Sequence, residues 1–241
     1  VLPEPWAYSH LTAARLLGLP VAQFWSPEEP LHVVRPTWLS AVRRRGTVHH
    51  RGLEHRGVVT RHGLPLTGPA DTWCDVAAGL SLEERVVLGD ATVNEESSGI
   101  PLADLTEAVT RRARETGVRA LREALPLVRT HSLSRRESLV RLAMHRRGLP
   151  EPELNVDVLD GLGGWLARPD FVWRRQRVIA EYDGEQHRQD LRQWRRDHVI
   201  RADLVAEGWR VHTFIDADLS RPAALDRRIE AIAHDLGVTP T

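Results

Sequence analysis

Residues Arg168 to His187 constrain the fold of this chain more than any other stretch. They read Arg168-Pro169-Asp170-Phe171-Val172-Trp173, then Arg174-Arg175-Gln176, then Arg177-Val178-Ile179-Ala180-Glu181-Tyr182-Asp183-Gly184-Glu185-Gln186-His187. Two apolar runs flank a short polar gap, the pattern of a β-hairpin. With Arg175 and Gln176 as the two turn residues, Arg174 faces Arg177 and Asp170 stands opposite Glu181. Facing residues carry Cβ atoms roughly 4.5–5.5 Å apart, and alternation places Ile179, Glu181 and Asp183 on one face. Three carboxylates, Asp170, Glu181 and Asp183, are then expected to converge on an otherwise apolar sheet. Like charges held that close repel, and burial sharpens the penalty. A divalent cation with oxygen ligands offsets it. The alternative is a hairpin whose acids simply face water, and a three-residue turn would shift the register by one and separate the facing pair.

The bulk properties set limits around that hairpin. A chain of 241 residues with 41% hydrophobic residues can bury a core as one large domain or two small ones. Cys74 is the one cysteine, which excludes an intramolecular disulfide and a cysteine-based zinc cluster and fits a reducing compartment. No apolar run reaches membrane-spanning length and no signal-peptide pattern opens the chain, so a cytoplasmic protein is expected. Lysine is absent, and all 33 strongly basic residues are arginine. GC-rich codon usage accounts for that bias, but any chemistry that ordinarily uses a lysine must use another group here. The formal net charge is zero, which removes a global basic field as a means of attracting nucleic acid. Local clusters remain. Arg43, Arg44, Arg45, Arg51, Arg56 and Arg61 stand with only Glu54 among them, and Arg135, Arg136, Arg141, Arg146 and Arg147 with only Glu137. Such clusters either contact phosphates or form solvated surface.

Along the chain, Ser9 to Leu17 reads as a helix with Ser9 as N-cap and Gly18 beyond its end. Leu31 to Val34, Gly57 to Thr60 and Val48-His49-His50 read as strands. Helical pattern follows from Thr67-Gly68-Pro69 through Ala78, at Ser81 to Asn94, Leu102 to Arg114 and Arg119 to Leu125. The pattern breaks between Pro126 and Ser134, which places a boundary between residues 1–130, an α+β domain, mainly helical, and residues 131–241. The second part reads helix (Ser134 to Arg147), strand (Leu154 to Leu159), a Gly-rich turn, the hairpin, helix (Arg188 to Glu207), strand (Trp209 to Ile215) and helix (Pro222 to Leu236). That order, α-β-β-β-α-β-α, predicts an α/β sandwich around a small mixed sheet.

With these parts in place, the second half resembles the PD-(D/E)XK nucleases, in particular the very-short-patch-repair-like branch with its endonuclease-like proteins of high-GC, actinobacterial type. The residues that carry the likeness are Glu137-Ser138-x-x-Arg141-Leu142, Pro169-Asp170-Phe171, Glu181-Tyr182-Asp183-Gly184-x-x-His187, Trp194-x-x-Asp197 and Gly208-Trp209-Arg210-Val211. The resemblance covers about Ser134 to Leu236 and implies a restriction-endonuclease-like core. The first half, through Ser9-His10-x-Thr12-Ala13-Ala14 and Gly63-Leu64-Pro65-Leu66-Thr67, is similar to the region preceding such domains in relatives associated with abortive-infection antitoxins.

The resemblance implies a Mg²⁺-dependent DNA endonuclease, with Mn²⁺ as a substitute. Asp170 and Glu181 would be the metal ligands, the Tyr182 carbonyl a third, and Glu137 would act through a metal-bound water. One departure matters: where the superfamily motif ends in lysine, this chain has Asp183. His187, near the start of the next helix, is then the expected general base or acid, and Arg188 the source of the lost positive charge. Arg141, Arg175 and Arg188 are the arginines expected to contact DNA. Each has a plainer reading. Glu137 and Arg141 lie one turn apart and suit a helical ion pair. Trp194 and Asp197 suit core packing and a surface salt bridge. His49 and His50 are neighbours on a strand and point to opposite faces, which argues against a shared metal. The competing functional reading is a catalytically inactive DNA-binding or regulatory protein, toxin–antitoxin related, that keeps the nuclease fold. Cleavage of both strands would suggest a homodimer, and no membrane partner is expected.

Overall fold

In the computed structural model the chain divides into two compact units, residues 1–135 and 136–241. The structure describes residues 5–21, 26–40, 44–95, 97–113, 115–184 and 191–240, and of residues 191–197 the backbone only.

The first unit contains strands β1 (Ala7–Tyr8), β2 (Leu31–Arg35), β3 (Thr47–Arg51), β4 (Val58–Arg61) and β5 (Leu64–Thr67), and helices α1 (His10–Leu17), α2 (Pro69–Ala77), α3 (Leu82–Val93), α4 (Leu102–Arg111) and α5 (Val118–Ala124). The five strands form one mixed sheet in the order β3-β2-β1-β5-β4. Helix α1 ends where the sequence requires. Gly18 takes a left-handed φ of 78°, and the N–H groups of Gly18 and Leu19 donate to the carbonyls of Arg15 and Ala14, which satisfies the last-turn acceptors. Ser9 holds the N-cap position, but its hydroxyl lies beside His10 Nδ1 at 3.1 Å instead of capping the helix. Strands β1 and β5 were not legible in the sequence. β1 is two residues long, and β5 contains Pro65, which faces Thr60 of β4. Proline ordinarily argues against an interior strand. Helix α2 starts at Gly68-Pro69, where the ring pre-sets φ and no amide hydrogen is missed.

The second unit contains helices α6 (Arg135–Arg146), α7 (Leu191–Ala206), α8 (Asp216–Leu219) and α9 (Pro222–Leu236), and strands β6 (Glu153–Leu154), β7 (Val158–Leu159), β8 (Trp165–Ala167), β9 (Phe171–Trp173), β10 (Val178–Asp183) and β11 (Arg210–Ile215). Four strands pair in the order β11-β10-β9-β6, while β7 and β8 form a separate ribbon. β10 and β11 are parallel, so a crossover must join them, and α7 lies in that crossover. β9 and β10 are antiparallel. Alternation sends Phe171, Trp173, Val178, Ala180 and Phe214 to one face, where they pack with Val140 and Met144 of α6 and Ile229 and Ile232 of α9. Val172 and Ile179 go to the other face, against Leu204 of α7 and Val158 and Ala167 of the ribbon. The second unit is thus an α/β sheet covered on both faces. The single strand expected from Leu154 to Leu159 is two short ones. The break comes at Asn155, whose φ of 50° lies in the left-handed region that asparagine tolerates better than most residues. Among the described residues no helix is long and apolar enough to cross a membrane.

Candidate functional site

The hairpin has the register expected from its turn. Ala180 pairs with Phe171, Ile179 with Val172 and Val178 with Trp173, and one step further puts Glu181 opposite Asp170. The turn is closed by the Arg177 N–H donating to the Arg174 carbonyl at 3.2 Å, with Arg177 left-handed at φ 52°.

Asp170 ends up among acids and apolar neighbours. Its Oδ2 accepts the Tyr182 backbone N–H at 2.6 Å. Burial, then the Glu137 carboxylate, and after it Glu181, push its carboxyl from an ordinary 3.8 up to about 7, against the lowering effect of the Tyr182 N–H. Glu137 is only 8% exposed and sits in the first turn of α6. Asn155 ties the two acids together. Its backbone N–H donates to the Asp170 carbonyl at 3.1 Å and its side-chain amide to Glu137 Oε2 at 2.8 Å. Sequence reasoning misses Asn155, since nothing in its neighbourhood announces a reversal of φ.

A second cluster decorates the same strand end. Arg136 Nε donates to the Tyr182 hydroxyl at 2.7 Å and to Asp216 Oδ1 at 2.6 Å, with its guanidinium 5.8 Å from the Tyr182 ring centre. Partial burial, and then the Asp216 carboxylate, raise the Tyr182 phenol to about 12. The bond to Arg136 holds Asp216 below the usual carboxylate range.

Glu181 and Asp183 are half-buried on β10. The three carboxylates do not close as a set, however. Among the described residues, neither Asp170, Glu181 and Asp183 nor Glu137, Asp170 and Glu181 bring one oxygen each within 4.8 Å of one another. What the fold does provide is Asp170 and Glu181 facing each other across the hairpin, with the Glu137 carboxylate near enough to act on Asp170. Hard oxygen donors, with a carboxyl held high first by burial and then by neighbouring negative charge, are of the kind a Mg²⁺-class cation takes. His187 and Arg188 lie outside the described residues, as do the side chains of Trp194 and Asp197.

Of the arginines expected to contact DNA, Arg141 needs correction. Arg141 is 2% exposed, so it cannot lie against a phosphate backbone. Arg175 sits in the turn, at the end of the hairpin away from Asp170 and Glu181. In the first cluster, Arg56 is bound to Asp75 at 2.8 Å, Arg61 donates to the Leu17 carbonyl and Arg51 to the Thr37 carbonyl. In the second, Arg136 is engaged with Asp216, and Arg147 approaches Asp226 and Glu230. Folding pairs Arg56, Arg136 and Arg147 with acids distant in sequence, and gives Arg51 and Arg61, both still exposed, backbone carbonyl partners, which linear counting cannot register.

Comparison with known proteins adds relatives without a role. Two proteins described as uncharacterized, from Mycobacterium tuberculosis strains CDC 1551 and H37Rv, are each 32% identical over 168 residues, 69% of this chain and 61% of theirs. The match therefore spans about three-fifths of those relatives' length. No family model matches the chain, and no solved structure matches it.

Proposed function

We propose that this protein is a metal-dependent DNA endonuclease of PD-(D/E)XK type, acting in repair or against foreign DNA. The observation that carries the reading is Asp170: an acid on the rim of an apolar sheet, raised to about 7 by burial and by Glu137 and Glu181. Such a group is costly unless a cation or a proton relieves it. Asp170, Glu181 and the Tyr182 carbonyl would hold Mg²⁺ or Mn²⁺, and Glu137 would orient a water through Asn155-fixed geometry. When bound, the cation supplies Lewis-acid activation of water and charge stabilisation at the phosphate. The chain's own part is to hold those oxygens rigidly on the hairpin and α6 and to move a proton, for which His187 is the candidate. The test is nicking or linearisation of supercoiled plasmid by the full chain with Mg²⁺ or Mn²⁺, beside Asp170→Ala, Glu181→Ala and an EDTA control. Cleavage that needs the metal and both carboxylates is the expected result. Cleavage that survives Asp170→Ala overturns the site.

One observation favours a second reading. Asp183 stands where the superfamily uses lysine, and Arg136, at the same strand end, is held by Asp216. A DNA-binding or regulatory protein that has lost turnover then retains the fold alone. Plasmid left uncut while salt-sensitive DNA binding persists would select this reading.

A further inference from the structure

The first unit gathers three histidines from three elements. His10 opens α1, His32 lies on β2 and His50 on β3. In the β2–β3 ladder His32 pairs with Val48 and His50 with Val34, so the two are diagonal neighbours on one face. His10 is delivered to them by β1: the Ser9 N–H donates to the His32 carbonyl at 3.0 Å, and the His32 N–H donates to Thr12 Oγ1 at 2.8 Å. The rings meet. His32 Nδ1 is 2.9 Å from His50 Nε2, and the His10 ring stacks on His50 with centres 3.5 Å apart. One nitrogen from each residue lies within 4.8 Å of the others.

We propose that His10, His32 and His50 form a binding site for a Zn²⁺-class divalent cation, separate from the acidic hairpin and independent of the nuclease reading. Four observations support it. The donor set is imidazole only, which suits Zn²⁺ and its late first-row neighbours and does not suit Mg²⁺ or Ca²⁺. Two imidazole nitrogens on one tetrahedral Zn²⁺ stand roughly 3.3 Å apart, given Zn–N bonds of about 2.0–2.1 Å, so His32 and His50 need only a small outward shift. Asp75 Oδ2 lies 3.8 Å from His10 Nδ1 and is itself fixed by Arg56 and Arg112. A carboxylate close behind a ring is the kind of outer-shell group that supports a metal-bound imidazole. His10 also holds a φ of 49°, a conformation with a backbone cost for a residue other than glycine, and such costs concentrate at functional positions. Because the His10 and His50 ring planes are 14° apart, coordination by all three residues turns at least one ring about its Cβ–Cγ bond.

The experiment uses the full chain without a polyhistidine tag, stripped with chelator and titrated with ZnCl₂ by calorimetry and with CoCl₂ by visible absorption. The expected result is one Zn²⁺ per chain and a tetrahedral Co²⁺ spectrum that Zn²⁺ displaces. His10→Ala, His32→Ala and His50→Ala should each weaken binding at least tenfold. His49→Ala, on the opposite face of β3, should not. Far-UV circular dichroism of each variant identifies any that fails to fold, and His50→Gln, which keeps the side-chain volume, then takes its place in the comparison. No stoichiometric binding by the unaltered chain, or binding that persists in folded His32 and His50 variants, overturns the site.

Discussion

At the scale of one residue, Asp170 decides how stability should vary with pH. Its carboxyl is held at about 7 in the fold, first by burial and then by Glu137, while an unfolded aspartate titrates near 3.8. Between about pH 4 and pH 7 the folded chain therefore binds more protons than the unfolded one, and stability falls as the pH rises through that window. A displacement of this size corresponds to about 4 kcal/mol at most, and partial exposure brings the working figure to about 2 kcal/mol. The substitution Asp170→Asn removes the charge and leaves an amide oxygen that can still accept the Tyr182 N–H. This variant should thus be more stable than the parent at pH 8 in chelator, and no more stable at pH 4. Added Mg²⁺ should raise the midpoint of the parent and leave that of the variant unchanged. Urea unfolding at the two pH values measures this. A variant less stable than the parent at pH 8 would show that the carboxylate is satisfied without a cation.

At the scale of elements, close approach matters more than propensity. Gly89 lies within α3, and a Cβ built on it falls 2.6 Å from Val128 Cγ2 and 3.2 Å from the Trp73 indole nitrogen. Trp73 and Val128 are both fully buried, and the indole N–H is committed to the Arg85 carbonyl at 2.9 Å. Helix propensity alone favours Gly89→Ala by about 1 kcal/mol. Overpacking costs about 1–3 kcal/mol, so a net loss of about 1 kcal/mol is expected in urea unfolding. Gly79→Ala, where a Cβ meets nothing within 4 Å, should show no such loss. The same contrast explains which elements the sequence revealed. The ends of α1, α2 and α9 and the register of the β9–β10 hairpin were legible because local residues enforce them: Gly18, Pro69, Pro222 and the Arg174–Arg177 turn. β5 was hidden because Pro65 argues locally against a strand, and only pairing with β4 and β1 places it in the sheet. Part of the candidate acid site was legible, since Asp170 and Glu181 face each other through strand alternation. Asn155 was not, because its role depends on a chain reversal and on α6 arriving beside it. The histidine cluster escaped for a related reason. Alternation correctly separates His49 from His50, but the partners of His50 come from β2 and α1, and only the sheet order brings them together.

At the scale of the whole molecule, charge is spent inside the protein. The chain has 33 basic and 33 acidic residues, and several arginines that look free in sequence are internal. Arg112, 4% exposed, binds Asp71 at 3.1 Å and also Asp75. Arg56 shares Asp75, and Arg141 is 2% exposed. A buried guanidinium compensated by carboxylates releases no counterions from DNA. Only exposed, unsated arginines do so, and each phosphate they neutralise contributes about −0.9 to the slope of log K against log salt. A protein held to duplex by a broad basic face makes roughly 6–10 such contacts. With Arg56, Arg112, Arg136 and Arg147 paired to acids and Arg141 buried, this chain should contact fewer phosphates, about 2–4, which gives a slope of about −2 to −4. Fluorescence anisotropy with a labelled duplex between about 50 and 200 mM NaCl measures it, in the presence of Ca²⁺ to block cleavage. A slope near about −8 would mean that arginines held in internal ion pairs turn outward to DNA, and that binding rearranges the surface of the protein. A shallow slope would leave affinity to shape and to the few groups around the hairpin, so that substitutions at Asp170 and Glu181 should alter DNA affinity more than removal of any single exposed arginine.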